Sequence, residues 1–179
     1  MTPPPTLETE RLRIRPYSEA DIPELLPLVG ERAMAATTLR IAHPYMEQDA
    51  RSFLELAKEP DKLWLAITLR SNGQQIGGIG LRIEEQHQHA ELGYWLGVPY
   101  WGRGYATEAS REVLRYGFGE LRLHRIFATH FKHNPASGRS LQKIGMRYEG
   151  CRCEHLLTWG EFVDSEMYGV LRRKWEAYE

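Results

Sequence analysis

The chain has 179 residues, 23 of them basic and 24 acidic, and a formal net charge of −1. This length predicts a single domain over residues 1–179. The charge is balanced and there is no basic run, which argues against nucleic acid or an anionic membrane as the main partner. The apolar runs have the length of strands, well short of the ~20 residues of a membrane helix, and the first residues do not resemble a secretion signal. We therefore expect a cytoplasmic protein.

The two cysteines, Cys151 and Cys153, are separated by one residue on a predicted strand. Side chains two residues apart on a strand point to the same face of the sheet. A Cys-x-Cys pair by itself is a poor metal site, and a disulfide between such close neighbours is strained. The sequence therefore predicts two free thiols in a reducing compartment, and no metal.

The first half of the chain predicts one strand, two helices and a β-hairpin. Apolar residues alternate with arginines over 11–16, the pattern of a half-buried strand. Apolar residues at helical spacing predict helices over about 21–30 and 47–58, and residues 31–44 between them have no strong period. Strands over 64–69 and 75–83 are joined by Asn72-Gly73, which supplies the positive φ angles of a tight hairpin turn.

The second half of the chain adds two helices and four strands. Strands are predicted over 91–98, 125–131, 146–158 and 161–170, with helices over 106–118 and 134–144. Gly117 and Gly119 are expected to end the first of these helices, and Gly145 the second. The complete order, β-α-α-β-β-β-α-β-α-β-β, predicts an α+β domain with a mixed, mostly antiparallel sheet of about seven strands and with about four helices.

The stretch from Glu91 to Ala109 is the most informative part of the sequence. A strand of apolar and aromatic residues is followed by a turn with two glycines, Gly102 and Gly104, and then by small residues that open a helix. The first-turn N–H groups of a helix have no intrahelical partner, and the helix dipole favours negative charge there. Glycine lets an anion approach the main chain because it has no Cβ. We expect a phosphate-bearing ligand at this turn.

The glycine pair also has other interpretations. It can shape a tight connection without binding anything. The dinucleotide-binding fingerprint requires a third glycine, at the position of Thr107, within a parallel βαβ unit. A Walker A loop ends in Gly-Lys-Ser/Thr, and this chain has no such ending here. Neither of these nucleotide-binding motifs fits.

The run Trp-Gly-Arg-Gly-Tyr-Ala, from Trp101 to Ala106, resembles the pyrophosphate turn of the GNAT acetyltransferases, Gln/Arg-x-x-Gly-x-Gly/Ala. Together with residues 7–15, 91–109, 134–137 and 143–146, it makes nearly the whole chain similar to the RimJ/RimL-type branch, which acetylates amino groups. Trp101 departs from the motif, whose first residue is Gln or Arg. The resemblance implies the GNAT fold, a twisted sheet with helices on both faces and central strands that are splayed apart.

The resemblance also implies acetyl-coenzyme A as the ligand. Its pyrophosphate would lie on the main-chain N–H groups of the glycine turn, and its pantetheine arm would pair with the preceding strand like an added strand. Arg103 would contact a phosphate or be a solvated surface arginine. Asn134 would contact the pantetheine arm, cap the next helix, or do both. The implied coenzyme contacts are Leu96, Val98, Gly102, Arg103, Gly104, Tyr105, Ala106, Thr107, Asn134 and Ser137.

An amine attacks a thioester only in its neutral form, so a general base is expected, above all for acceptors of high pKa. Glu91 is the candidate because it is the only carboxylate on the strand that leads into the glycine turn. The other interpretation of Glu91 is a strand-end glutamate in a surface ion pair. Glu84, Glu85 and Glu154 are weaker candidates. The main-chain N–H of Trp95 is the candidate for stabilising the oxyanion.

Ser137 resembles the serine that lies near the coenzyme sulfur in this family. A hydrogen bond to the leaving sulfur is enough for that role, because a thiol of pKa ~8.5 yields a fair leaving group. The other interpretation of Ser137 is structural, since Asn134 at an N-cap and Pro135 at the first helical position already make a complete helix start. Asp164 fits the family's C-terminal pattern, and a structural hydrogen bond explains it equally well.

The sequence therefore predicts an acetyl-CoA-dependent N-acetyltransferase whose acceptor is a primary amine, a protein N-terminus by resemblance. A polyamine or another small amine is the alternative acceptor, and a coenzyme-A-binding sensor without turnover is the alternative function. Residues 31–44 and the turn near His87 are expected to border the acceptor. A homodimer is a further expectation from the resemblance, with no nucleic acid or membrane partner.

Overall fold

The structure is a computed structural model that describes residues 4–38 and 41–175. Within these residues the chain forms one sheet of eight strands and six α-helices. The strands are β1 (Leu7–Glu8), β2 (Leu12–Pro16), β3 (Lys62–Leu69), β4 (Gln75–Glu84), β5 (His89–Leu96), β6 (Arg125–Phe131), β7 (Arg147–Thr158) and β8 (Glu161–Leu171). The helices are α1 (Ile22–Val29), α2 (Arg32–Ala35), α3 (Glu47–Leu56), α4 (Tyr105–Gly119), α5 (Pro135–Lys143) and α6 (Arg172–Trp175). No helix in the described ranges has the length and apolar character needed to cross a bilayer.

The sheet order is β1-β2-β3-β4-β5-β6-β8-β7, and every neighbouring pair is antiparallel except β5 and β6. These two central strands pair in parallel over only three rungs, from His89 opposite Arg125 to Glu91 opposite Phe127. Beyond these rungs the two strands separate, and we call the gap between them the β5–β6 split. The predicted α+β architecture, with a mixed, mostly antiparallel sheet and a splayed centre, is confirmed.

Two apolar clusters cover the two faces of the sheet. The larger cluster joins strand residues to α4, α5 and α6, and the smaller one is built from α1, α2 and α3. Successive strand residues point to opposite faces. On β5, Leu92, Tyr94 and Leu96 therefore pack on the α4 side. Glu91 and Trp95 point to the opposite face, where Trp95 packs against the smaller cluster.

The structure corrects several predicted boundaries. β1 is an additional strand, beyond the seven predicted. The segment 31–44, predicted to be irregular, contains α2, in which Met34 and Ala35 are buried; its residues 39 and 40 lie outside the described residues. β5 ends at Leu96 rather than at residue 98. The chain leaves the sheet there because Val98–Tyr100 forms a 3-10 turn, with the Tyr100 N–H donating to the Gly97 carbonyl at 2.9 Å.

Gly117 was predicted to end α4, but the helix continues through it to Gly119. A Cβ on Gly117 would stand 2.8 Å from Cδ1 of Ile126 on β6 and 3.2 Å from Cδ1 of Leu81 on β4. Both contacts are closer than carbon atoms pack without displacement. The glycine therefore lets α4 lie close to the sheet, and its role is packing rather than helix termination.

The ring of Trp64 on β3 lies over two glycines of the sheet, Gly80 on β4 and Gly93 on β5. A Cβ on Gly80 would overlap both this ring and the Leu63 carbonyl, whereas one on Gly93 would stand 3.1 Å from the ring. We expect Gly80→Ala to lower the free energy of unfolding by about 3 kcal/mol, because main chain and ring must both move. Gly93→Ala should lower the free energy of unfolding by clearly less than Gly80→Ala does. Urea unfolding of both variants checks this, and equal losses would contradict it.

Candidate active site

At the β5–β6 split, main-chain groups of β5 have no partner among the described strands. The Gly97 N–H donates to the Ile76 carbonyl on β4 at 2.9 Å, and Trp95 lies two residues earlier in the same register. Main-chain groups alternate in direction along a strand, so those of Trp95 face β4, whereas those of Tyr94 and Leu96 face the split. The Trp95 N–H is therefore turned away from the place where an oxyanion donor was expected. The N–H groups of Tyr94 and Leu96 are directed into the split instead.

The glycine turn after β5 has the geometry of an anion-binding site. Gly102 and Gly104 have φ angles of 72° and 81°, in the left-handed region that glycine adopts without strain. Gly104 is the N-cap of α4, and its carbonyl accepts the Glu108 N–H at 3.0 Å. Across residues 4–38 and 41–175, no protein acceptor pairs with the main-chain N–H groups from Gly102 through Thr107. These donors and the positive end of the helix dipole favour a bound anion.

Glu108 fixes the first turn of α4 to the β1–β2 turn. Its carboxylate accepts the Thr9 hydroxyl at 2.6 Å, the Arg11 N–H at 2.9 Å and the Arg11 Nε at 2.6 Å. The Arg11 guanidinium also donates to the Arg103 carbonyl at 3.0 Å and lies 4.5 Å from the centre of the Tyr105 ring. Burial acts to raise the pKa of Glu108, but these hydrogen bonds outweigh it and bring the pKa below its ordinary value. Residues from the start of the chain thus hold the glycine turn in place.

Glu108→Gln is expected to lower the free energy of unfolding at pH 7 by about 1 kcal/mol, a modest value because Arg11 is half-exposed and solvent screens its charge. The folded pKa of Glu108 lies below the ordinary 4.5, so its contribution is complete above that pH and is lost as the pH falls through the folded pKa. The Tm difference from wild type should therefore shrink as the pH falls below 4.5. Glu112→Gln, which removes a bond to Arg115 within α4, is the control. A Tm difference that does not change with pH would contradict the assignment.

Glu91 lies on the last β5–β6 rung, at the base of the split, on the face that carries α1 to α3. Its carboxylate accepts Nη2 of Arg82 on β4, and it accepts the Thr129 hydroxyl on β6 at 3.2 Å. Thr129 is two residues beyond the last rung, so this second contact crosses the split. The Glu91 side chain is 18% exposed. The ion pair that was the structural interpretation of Glu91 is present, and the same carboxylate also reaches the split.

On the opposite face, a pair of hydroxyl groups crosses the split. The Tyr94 hydroxyl of β5 and the Ser137 hydroxyl in the first turn of α5 are 2.8 Å apart. Asn134 is the N-cap residue of α5 and Pro135 its first residue, as predicted. The Asn134 side chain makes no capping hydrogen bond, however, so its amide is not used to start the helix. The split is thus flanked by a carboxylate on one face and by a hydroxyl pair on the other.

Trp101, where the family motif has Gln or Arg, has a structural role. Its indole N–H donates to the Leu96 carbonyl at 2.7 Å, and its main-chain N–H donates to the Val98 carbonyl at 3.2 Å. Leu96 is the last residue of β5, and its carbonyl faces the split. The indole therefore ties the glycine turn to the end of β5. It also uses one lone pair of an acceptor that the pantetheine arm was expected to use, and the second lone pair remains.

The described residues of the segment 31–44, which are 31–38 and 41–44, lie at the open end of the split. The Ala36 carbonyl is 3.2 Å from Nε2 of His133, in the loop between β6 and α5. Trp159, at the turn between β7 and β8, lies 5.5 Å from the Arg32 guanidinium and 6.1 Å from the His43 ring. The loop after β6 and the β7–β8 turn thus meet this segment, and its place beside the acceptor stays a prediction.

Other candidates from the sequence lie away from the split. Glu84, Glu85 and His87 are at the turn before β5, which is the paired end of that strand. The turn near His87 was expected to border the acceptor, but it lies at the end of β5 that is away from the split. Glu154 is exposed in an irregular part of β7. Arg103 is exposed beside the glycine turn, where its side chain is free to reach a phosphate.

Cys151, Cys153 and Asp164 place potential ligand atoms within 4.8 Å of one another. Both cysteines are free thiols in the described structure. One oxygen of Asp164 accepts the Glu154 N–H at 2.8 Å and the other accepts Nζ of Lys132 at 3.0 Å. These two donors, the N–H first, hold the pKa of Asp164 below its ordinary value. A structural role explains Asp164 fully, because both of its oxygens already have donors.

Sequence reasoning missed Tyr94, Thr129 and Arg82 as parts of the site. All three are strand residues whose contacts depend on which face and which rung they occupy. Arg11 was identified only as part of an alternating strand, although it supports the glycine turn. The alternation 11–16 shows which residues point outward, but it carries no signal for a partner on α4.

The comparisons with known proteins agree with this geometry. The family model described as acetyltransferase (GNAT) domain matches residues 11–147. The chain is 34% identical to the uncharacterized N-acetyltransferase YnaD of Bacillus subtilis, over 73% of this chain and 77% of that protein. It is 32% identical to the [ribosomal protein uS5]-alanine N-acetyltransferase of Escherichia coli, over 47% of this chain and 43% of that protein. A GNAT-family acetyltransferase structure from Bacillus anthracis superposes with a TM-score of 0.85 at 27% identity, covering 94% of this chain and 99% of that one. The chain belongs to the GNAT family and is an acetyl-CoA-dependent N-acetyltransferase.

Proposed function

We propose that the acceptor of this N-acetyltransferase is the N-terminal α-amino group of a protein, as in the RimJ/RimL-type branch. The relative from Escherichia coli, which by its name acetylates an alanine of ribosomal protein uS5, supports this. The chemistry supports it as well. An α-amino group with pKa near ~8 costs about 1 kcal/mol to deprotonate at pH 7, against about 4–5 kcal/mol for a lysine with pKa ~10.4. An N-terminus makes the smaller demand on a base.

The coenzyme is proposed to lie along the β5–β6 split and the glycine turn. The observation that carries this is the run of main-chain N–H groups from Gly102 through Thr107, none of which pairs with an acceptor in the described residues. The diphosphate accepts hydrogen bonds from these N–H groups, and the Arg103 side chain lies beside it. The pantetheine arm pairs with main-chain groups of Leu96, at the end of β5, and of Val98, and the Asn134 amide faces it from α5.

The reaction then uses both faces of the split. The neutral amine approaches on the face of Glu91, which accepts a proton from it directly or through water. A bond forms between the amine nitrogen and the acetyl carbon, and the N–H group of Tyr94 stabilises the oxyanion. The carbon–sulfur bond breaks, and the thiolate leaves on the face of Ser137, which donates a hydrogen bond to it. The products are the acetylated amine and free coenzyme A.

Release of free thiol from acetyl-CoA tests this proposal. The acceptors compared are a peptide with a free N-terminal alanine and no lysine, the same peptide with a blocked N-terminus and one lysine, and spermidine. Fastest turnover of the first peptide, with the acetyl group placed on the α-amino group by mass spectrometry, is the expected result. Preference for spermidine or for the lysine peptide would reject the protein N-terminus. Tight coenzyme binding without thiol release from any amine would favour the sensor.

We also propose a homodimer and a reducing cytoplasmic compartment for the protein. Leu157, Trp159 and Phe162, around the β7–β8 turn, are 59%, 53% and 66% exposed, and β7 is an edge strand of the sheet. An exposed apolar patch beside an open edge favours association with a second copy. Light scattering of the purified protein measures the mass, and a monomer at all concentrations would remove the proposal of a homodimer.

The two free thiols, Cys151 and Cys153, support the proposal of a reducing cytoplasmic compartment.

A further inference from the structure

We propose that Tyr94 is a positioning residue, which orients the Ser137 hydroxyl so that its proton points to the leaving sulfur of the coenzyme. This rests on the proposed function, because it requires the sulfur to lie beside Ser137. The role assigned to Tyr94 is separate from the coenzyme contact of its main chain, since it belongs to the phenol hydroxyl alone.

The geometry gives Tyr94 this role. Its side chain leaves β5 beyond the last β5–β6 rung, on the α4 and α5 side, and its hydroxyl is 2.8 Å from the Ser137 hydroxyl. Ser137 itself is in the first turn of α5, across the split from β5. The phenol ring packs against the larger apolar cluster, so it is held in one position. Tyr94 therefore joins the two sides of the split at the point where the thioester is proposed to lie.

The two hydroxyls have two possible arrangements. Each carries one proton, and each also accepts hydrogen bonds. If Ser137 donates to Tyr94, its only proton is used within the protein. If Tyr94 donates to Ser137, the Ser137 proton is left for the coenzyme sulfur. Burial raises the pKa of Tyr94 above its ordinary value of 10, so the phenol keeps its proton at neutral pH and remains able to donate.

Negative charge on the sulfur selects the second arrangement. As the carbon–sulfur bond breaks, its electron pair stays on sulfur, and a serine that already accepts from a phenol is a stronger donor to that charge. No proton has to be transferred by this pair. The amine proton leaves through the base on the other face, and the thiolate is stabilised by the hydrogen bond until it is released. The interaction strengthens as the charge develops, so its loss should appear in kcat rather than in KM.

A double-mutant cycle tests the proposal, with kcat measured at saturating acetyl-CoA and acceptor. Tyr94→Phe is expected to lower kcat about fivefold, and Ser137→Ala about tenfold, from the loss of one hydrogen bond each. In the Ser137→Ala background, Tyr94→Phe should change kcat by less than about twofold, because the Ser137 hydroxyl that Tyr94 is proposed to orient is already gone. The KM and the Kd for acetyl-CoA should stay within about twofold throughout.

Tyr168→Phe is the matched control. Tyr168 of β8 also packs under α5, with its hydroxyl beside Gly138, and no hydrogen bond joins it to Ser137 in the described residues. The kcat of the Tyr168→Phe variant should equal that of wild type. An undiminished effect of Tyr94→Phe in the Ser137→Ala background, or a loss explained by a lower Tm, would assign Tyr94 a structural role. Full activity of Tyr94→Phe with an active wild type would overturn this inference alone. A wild type that acetylates no amine would overturn the proposed function and this inference with it.

Discussion

Replacing Gly104 with alanine is expected to raise the Kd for acetyl-CoA at least about tenfold, with little loss of folding. Gly104 has a φ of 81°, and alanine in this region is strained by about 1–2 kcal/mol. The strain is relieved by rotating the main chain that carries the N–H groups proposed to hold the diphosphate. Loss of one hydrogen bond to a charged group costs about 1.5–3 kcal/mol, or roughly ten- to a hundredfold in affinity. Isothermal titration calorimetry measures the Kd directly.

Gly119→Ala provides the matched control on the same helix. Gly119 is the last residue of α4, its φ lies outside the left-handed region, and a Cβ there meets no atom within 4 Å. The Kd of the Gly119→Ala variant for acetyl-CoA should equal that of wild type, and its Tm should be unchanged or slightly raised. A folded Gly104→Ala variant that binds acetyl-CoA as tightly as wild type would show that the diphosphate lies elsewhere.

Glu91→Gln is expected to lower kcat/KM at pH 7 by about a hundredfold for a lysine-like amine and about tenfold for an α-amino acceptor. The difference arises because the lysine-like amine is almost entirely protonated at pH 7, so it depends more on a base. Glutamine keeps the size of the side chain, but Thr129 and Arg82 bond different oxygens of the carboxylate, so its single oxygen can accept from only one of them. The kcat/KM of the variant should approach that of wild type above pH ~8 for the α-amino acceptor, as the free amine becomes abundant.

Glu84→Gln is the control for this experiment, because Glu84 is an exposed carboxylate at the paired end of the same strand pair. Its activity should match wild type at every pH. If Glu91→Gln lowers the Tm but leaves kcat/KM unchanged for both acceptors, the role of Glu91 is structural, through contacts such as those with Arg82 and Thr129. An equal loss for both acceptors at all pH values would also argue against a base.

The parts of the site that the sequence predicts are local ones. Gly102 and Gly104 adopt positive φ angles because their residue type permits it, and Pro135 begins a helix for a similarly local reason. The helix α2 escaped notice because four residues are too few to show a period. The strand before the glycine turn appeared two residues too long, since Val98 is apolar whether it lies in a strand or in a 3-10 turn.

The contacts that complete the site join distant parts of the chain. Thr9 and Glu108 meet over a separation of 99 residues, and Tyr94 and Ser137 over 43. Such pairs depend on the sheet order and on where α4 and α5 pack, which local pattern does not contain. The direction of the Trp95 N–H is a further example. The tryptophan residue type does not indicate the direction of its main-chain N–H. Only the register of β5 with β4 shows that this N–H faces away from the split.

The free N–H groups of the glycine turn have a consequence for regulation. In the proposed binding mode these N–H groups bind the diphosphate, which is a part of the coenzyme that is identical before and after acetyl transfer. Interactions that substrate and product share give both a similar affinity. Free coenzyme A therefore competes with acetyl-CoA for the same site. The rate of acetylation should therefore follow the proportion of the cellular coenzyme pool that is acetylated, and the enzyme would slow when metabolic supply of acetyl groups falls.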